Sequence, residues 1–296
     1  RLDQCFMLWC LVAVLTAPFH EDAIGTTVNR LGMVYTAGAT YLAFRAWCSD
    51  LRDAERVCFG MALLVLPIAL SMLYEVSTGF NFFSIFGGVS EWSEVRDGRI
   101  RAQGPFSHAI LAGTAGATSL PLMLALWTRR RRVAVTGGLA CVAMIIASGS
   151  SGPLLSAMFG LLALLMWRWR AHMRVVRWSL IVGYVLLDFA MKAPAYYIIA
   201  RFDLTGSSTS WHRAALIDAA LTYLPEWWLY GSDYTRHWMS SGIHANDRHA
   251  DITNHFLAMG VMGGLLLVAL LVLPLALVAA GCGDGGGCGM GVTLEV

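Results

Sequence analysis

Long apolar runs separated by short polar connections set the pattern of this chain. Leu257–Ala280 runs 24 residues without a charge. Val133–Trp167 runs 35 residues without one, broken in its middle by Ser148-Gly149-Ser150-Ser151-Gly152-Pro153. A helix needs roughly 20 apolar residues to cross a hydrocarbon core of about 30 Å. Eight stretches have that character: 5–19, 31–47, 57–74, 107–127, 133–148, 153–167, 178–198 and 256–280. The fifth and sixth are short and pair across the Ser/Gly break. The pattern predicts an all-α, polytopic transmembrane helix bundle of about eight spans. It forms a single membrane domain over 1–280, followed by a Gly-rich tail over 281–296 that reads as disordered. No internal repeat is visible. The first stretch lacks a small-x-small cleavage site and reads as a helix, not a signal peptide. The chain begins with Arg1, so a longer N-terminus is expected.

Composition agrees with the pattern. Of 296 residues, 57% are hydrophobic and 14% charged, against about 25% charged in soluble domains. Charge then orients the bundle. Arg45, Arg52 and Arg56, the run Arg129–Arg132, and Arg168, Arg170, Arg174 and Arg177 follow the second, fourth and sixth stretches. With eight spans they share one face, which the positive-inside rule makes cytoplasmic, along with both termini. The opposite face takes every histidine except His172, most of the acidic residues, and the two long connections, 75–107 and 199–255. Its loops hold no cysteine, so no disulfide framework is expected. The net charge of +2 says little about partners; no nucleic-acid partner is expected. Function is therefore expected on the outer face.

Three segments there carry chemistry. Arg96–His108 places Arg99 and Arg101 two apart, on one side of an extended segment, just before the fourth stretch. Their two guanidiniums read as a clamp for a diphosphate or carboxylate, or as an exposed loop touching lipid headgroups. Ser207–Arg213 opens an apolar segment that Pro225 ends, with Asp218 and Thr222 on a polar stripe; it is too short to span and reads as an interfacial amphipathic helix. His212 and Arg213 fall in its first turn, where an anion would sit well, although Arg213 could equally reach lipid phosphate. His244–Leu257 leads into the last stretch with His244, His249, Asp251, Asn254 and His255. Their spacing is poor for zinc, and no metal or other cofactor is expected; a base beside a bound anion fits better. Asp188 and Lys192, one turn apart, are the charged pair inside a stretch.

Taken together, these segments resemble the O-antigen ligase and polymerase superfamily of bacterial membrane glycosyltransferases. Arg101-Ala-Gln-Gly-Pro-Phe-Ser-His108 resembles the arginine block that opens one of its spanning helices. Ser210-Trp-His-Arg213, the helix after it and Trp228-Leu-Tyr-Gly231-Ser resemble the start of its large periplasmic loop and a later glycine turn. Thr253-Asn-His-Phe-Leu257 and Gly260-Val-Met-Gly263 resemble the loop's end and the following helix. The resemblance covers about 100–264. It implies an inner-membrane enzyme that moves a glycan from undecaprenyl diphosphate to a sugar hydroxyl, on a growing glycan or a lipid A core, without a metal. It implies catalytic roles for Arg101, Arg213 and His255. Binding roles would fall to Arg99, Gln103, His108, His212, His249, Asp251 and Asn254. Aligned on Leu257, the family histidine falls on Thr253, so the base stays open among His255, Asp251, His249 and His244. The turn at Gly231 lacks the family's second glycine. A transporter of an anionic or lipid-linked solute, or a non-enzymatic assembly subunit, are the alternatives.

Overall fold

The computed structural model describes residues 2–96, 98–201, 210–239 and 247–281. The chain is mostly helical. Its long helices are α1 (Leu2–Leu15), α2 (Ala23–Trp47), α3 (Leu51–Thr78), α4 (Ala109–Ala125), α5 (Arg131–Ala147), α6 (Ser151–Met166) and α7 (Met173–Ala190), followed by α8 (Ser210–Thr222), the short α9 (Leu224–Trp227) and α10 (His255–Gly281). Each of the eight apolar stretches lies for most of its length on one of these helices. Among the described residues, three segments are both long and apolar enough to cross a membrane: Leu2–Phe19, Leu51–Thr78 and His255–Ala276. Ala109–Ala125 and Ser151–Met166 are apolar but shorter. Large apolar side chains face outward along them, such as Leu63 and Leu64 of α3 and Leu165 of α6. Charged and polar groups, among them Arg30, Glu75, Arg101 and His212, are buried. Such an inside-out distribution suits association with a bilayer, where outward apolar surface costs nothing.

The expected all-α architecture needs one addition. A hairpin of β1 (Glu94–Arg96) and β2 (Arg99–Arg101) pairs Glu94 with Arg101 and Arg96 with Arg99. Its two-residue connection contains Gly98 at φ +73°, the Asp-Gly signal of a tight hairpin. The seventh helix also stops early. α7 ends at Ala190, and Ala195–Arg201 forms a separate 3-10 segment, so Pro194 and the residues before it break what reads as one apolar run. Asp188 and Lys192 therefore form no helical i,i+4 pair; Asp188 Oδ1 instead accepts from the Ala195 N–H at 2.8 Å.

Where a single domain is expected, the chain forms two compact units. The first holds the described residues of 1–44, 169–203 and 208–296; the second holds those of 45–168. The second unit packs α4 against α5 and α6, and α3 against α5. Its core joins Val65 and Met72 of α3, Leu120 and Met123 of α4, and Met144 and Ile145 of α5. Small residues let the backbones close up: a Cβ on Gly116 of α4 would stand 2.9 Å from the Cys141 carbonyl oxygen of α5, the close approach that small residues permit between apolar helices.

The first unit has two cores. Trp9, Val12 and Ala13 of α1 pack on Met259, Leu267 and Leu270 of α10. Above the start of α10, Leu216, Ala219 and Ala220 of α8 pack with Trp227, Trp238 and Met239. The Trp227 indole N–H is satisfied by the Ala220 carbonyl at 2.9 Å. The described residues of the long connection after α7 thus form a folded lobe. α10 itself is interrupted at Gly263 (φ −152°, ψ 22°) and Gly264 (φ 78°, ψ −176°). Its apolar run hides this break from the sequence.

Candidate functional site

The first of the three segments lies in the second unit. It hangs from Glu75 at the end of α3, which is 1% exposed. One Glu75 oxygen accepts from the Ser93 hydroxyl (2.8 Å) and the Gln103 N–H (3.0 Å), the other from the Gly104 N–H (2.8 Å). Buried Asn81 adds a bond from its amide to the Gly104 carbonyl at 2.9 Å. Arg101 is buried. Its Nε reaches the Ser148 carbonyl at 3.4 Å, and Nη1 pairs with Glu94 at 3.3 Å. The Ala102 N–H donates to the Ala147 carbonyl at 3.0 Å. Arg101 and Ala102 together cap the last carbonyls of α5, where a cation also suits the helix dipole. Arg99 is exposed, as is His108, which precedes α4 without capping it by its side chain. The expected clamp of Arg99 and Arg101 acting together is therefore not formed: one arginine faces out and the other holds a helix end.

The second and third segments lie in the first unit, and there they meet. α8 begins at Ser210 and ends at Thr222, three residues before Pro225, near the expected bounds. Its buried face is Ala214, Leu216, Ala219 and Ala220, while Asp218 is exposed and accepts from the Tyr196 hydroxyl at 2.7 Å. His212 is fully buried, and its Nε2 lies 2.9 Å from the Asp251 carbonyl. A carbonyl only accepts, so Nε2 carries the proton. Nδ1 is buried with no partner among the described residues. This bond ties the first turn of α8 to the segment leading into α10. Arg213, half-buried on the next position, has no polar partner among the described residues.

The third segment is ordered around Thr235, which is buried and bonds to the backbone N–H of Ala250 (3.2 Å) and to His249 Nδ1 (3.4 Å). Asn254 caps α10: its side-chain oxygen accepts from the Phe256 N–H at 3.0 Å. A capping role for Asn254 accounts for it without a ligand. His255 is exposed in the first turn of α10. His244 lies outside the described residues, as do 202–209 and the tail beyond Gly281.

The glycine turn after α9 locks into the break of α10. The Ser232 N–H donates to the Val261 carbonyl (2.9 Å), and the Leu265 N–H donates to the Trp228 carbonyl (2.8 Å). The Met262 carbonyl accepts from His20 Nε2 (3.0 Å) and Arg30 Nη2 (2.7 Å). His20 Nδ1 faces Asp233 at 2.5 Å, and the other Asp233 oxygen accepts from the Glu21 N–H at 2.8 Å. Burial raises the Asp233 carboxyl, but the Glu21 N–H and His20 outweigh it and hold the carboxyl below its ordinary range. Backbone groups freed inside an apolar helix must find partners in the protein, and here each of these does.

Sequence reasoning missed Glu75, His20, Arg30, Asp233 and Thr235. Glu75 and Arg30 sit at the edges of apolar stretches and read as loop residues, yet both lie inside helices. An ionisable residue within an apolar helix was the available signal. No protein-family model matches the chain. Comparison with curated proteins and with solved structures likewise finds no match.

Proposed function

We propose that the chain is a membrane glycosyltransferase of the O-antigen ligase or polymerase kind. It would move a glycan from undecaprenyl diphosphate to a sugar hydroxyl at the outer face of a bacterial inner membrane, with eight spans and both termini cytoplasmic. The observation that carries this reading is the His212–Asp251 bond. It ties the start of α8, where Arg213 has no polar partner among the described residues, to the segment that leads into His255, two parts of the chain about 40 residues apart. An arginine with open donors, next to backbone N–H groups of a helix start, suits a leaving diphosphate.

The chemistry follows from that placement. The acceptor hydroxyl attacks the anomeric carbon from the face opposite the diphosphate. The bond from that carbon to the phosphate oxygen breaks, and the diphosphate leaves on the lipid with its pair of electrons. Arg213 stabilises the charge growing there. The hydroxyl proton passes to a nearby base, with His255, His249 and Asp251 as the described candidates. Arg99 and Arg101 belong to the other unit, and the reading does not need them.

The test is genetic. A strain deleted for the gene is complemented with wild type, Arg213→Ala or His255→Ala, and its surface polysaccharide is resolved on a gel. Loss of the ladder with Arg213→Ala supports the reading: single repeats still attached indicate a polymerase, and no attachment a ligase. A normal ladder from both variants overturns it. The interrupted α10 favours one second reading, a transporter, because broken helices line solute paths in many carriers. That reading predicts glycan retained on the cytoplasmic side with its lipid intact.

A further inference from the structure

Arginines gather at the start of α3 and at the turn between α4 and α5, both in the second unit. Arg52 and Arg56 stand one turn apart on α3. Glu55 and Phe59 lie on the same side of that helix, at the spacing that makes neighbours, and they receive the turn. Arg129 pairs with Glu55 at 2.9 Å. The Arg130 guanidinium lies over the Phe59 ring, 4.9 Å from its centre. Two stretches distant in sequence are thus joined into one basic patch made of Arg52, Arg56 and Arg129–Arg132.

The charges of the patch do not balance. Its acids are Asp50, Asp53 and Glu55. Asp50 and Asp53 form the capping box of α3, Asp53 also holds Arg56 at 2.8 Å, and Glu55 holds Arg129. Arg52, Arg130, Arg131 and Arg132 have no ion pair among the described residues, and all four are exposed. Arg131 stacks on Trp127 at 5.0 Å. A ring takes the face of a guanidinium and leaves its in-plane N–H groups open. Arg131 and Arg132 also fall in the first turn of α5, which has no acidic residue and no side-chain cap, where the helix dipole disfavours a cation. An anion from outside the chain answers all of these.

Depth along α3 identifies the source of that anion. The helix has 28 residues and is about 42 Å long, against a hydrocarbon core of about 30 Å. Counted back from Thr78, such a core ends near Phe59. Leu63 and Leu64, just inside it, face outward, and Arg52 and Arg56 fall in the layer of lipid headgroups. Exposed Trp127 is of the residue type that settles at that boundary. We propose that the patch binds the headgroup of an anionic phospholipid, its phosphate held by Arg130, Arg131 and Arg132, with Arg52 on the adjoining face of α3. The site lies in the other unit from Arg213, and it stands whether or not the chain transfers glycans.

The experiment uses the full chain purified in mild detergent as wild type, as Arg132→Gln, as the triple variant Arg130→Gln, Arg131→Gln, Arg132→Gln, and as Arg99→Gln, which removes an exposed arginine outside the patch. Bound dioleoyl phosphatidylglycerol and dioleoyl phosphatidylcholine are counted by native mass spectrometry, with and without millimolar inorganic phosphate. An arginine near an anionic surface is worth about fivefold in binding. Wild type and Arg99→Gln are expected to prefer phosphatidylglycerol. Arg132→Gln should weaken that preference about fivefold and the triple variant about 100-fold. Arg132→Gln, a single exposed change, decides the question if the triple variant does not fold. Any of four results overturns the proposal: equal retention of the two lipids by wild type, an unchanged preference in Arg132→Gln, an equal loss in Arg99→Gln, or release of phosphatidylglycerol by inorganic phosphate. The third would reduce the effect to net charge, and the last would make the patch a site for a free anion.

Discussion

Replacing Glu75 tests how the segment before α4 is held. Three donors converge on its carboxylate: the Ser93 hydroxyl and the N–H groups of Gln103 and Gly104. Glu75→Ala leaves two inward backbone N–H groups without acceptors. Each costs about 1–3 kcal/mol when buried and unmet, so the variant loses about 2–6 kcal/mol. Ser93 keeps its second bond, to the Gly79 carbonyl, and adds little to that loss. Glu75→Gln keeps one acceptor oxygen but sets its NH2 against the other donors, so about 1–3 kcal/mol goes. Ser93→Ala, which removes one donor and strands nothing, costs about 1 kcal/mol. The order Ala, Gln, then Ser93→Ala is the signature of a carboxylate that anchors backbone. The assay is unfolding in detergent followed by tryptophan fluorescence, with protease sensitivity of residues 79–105 read in parallel. If Glu75→Ala unfolds within about 0.5 kcal/mol of wild type, the range of a neutral surface change, the anchoring argument is refuted.

Two further outcomes follow from the break in α10. Gly264 has φ 78° and ψ −176°, a region that side chains scarcely enter, at about 1–3 kcal/mol. A Cβ there would also stand 2.5 Å from the Leu229 carbonyl carbon. Gly264→Ala is expected to detach the Trp228–Ser232 turn, seen as lower yield of monodisperse protein and faster cleavage of that turn; an unchanged profile contradicts the lock. Asp233 gives a pH dependence. Its carboxyl is held below its ordinary range in the fold, so its contribution is present above the unfolded value, about 4, and is lost as pH falls through the lowered folded value. The unfolding midpoint of wild type should drop in acid more steeply than that of Asp233→Asn, and parallel curves would dismiss the His20–Asp233 pair as a stabilising contact.

The apolar runs made the helices legible, because a run of twenty hydrophobic residues has few other uses. α8 was legible for a different reason, its short apolar segment closed by Pro225. The hairpin was harder. Glu94–Arg101 is too short and too polar to alternate visibly, although Asp97-Gly98 was a turn signal in plain sight. The interruption of α10 was not readable from hydropathy, since Gly263 and Gly264 sit within an unbroken apolar run. It became visible only through the partners of Val261, Met262 and Leu265. For the site, residue type was read correctly but its use was not always so: Arg101 looks like a ligand-binding arginine, and the fold gives it the end of α5. Arg30, read as lying just before a helix, lies inside one.

Glycan transfer by the purified protein bears most directly on the central claim, that Arg213 serves a leaving lipid diphosphate. The full chain is reconstituted with a labelled glycan on undecaprenyl diphosphate and a sugar acceptor, and product is counted for wild type and for Arg213→Ala with the same unfolding midpoint. The account predicts product from wild type and a loss of about 100-fold or more in the variant, the scale of one removed transition-state contact to developing charge. Equal product from the two, or none from wild type with any polyprenyl-diphosphate donor, would contradict it.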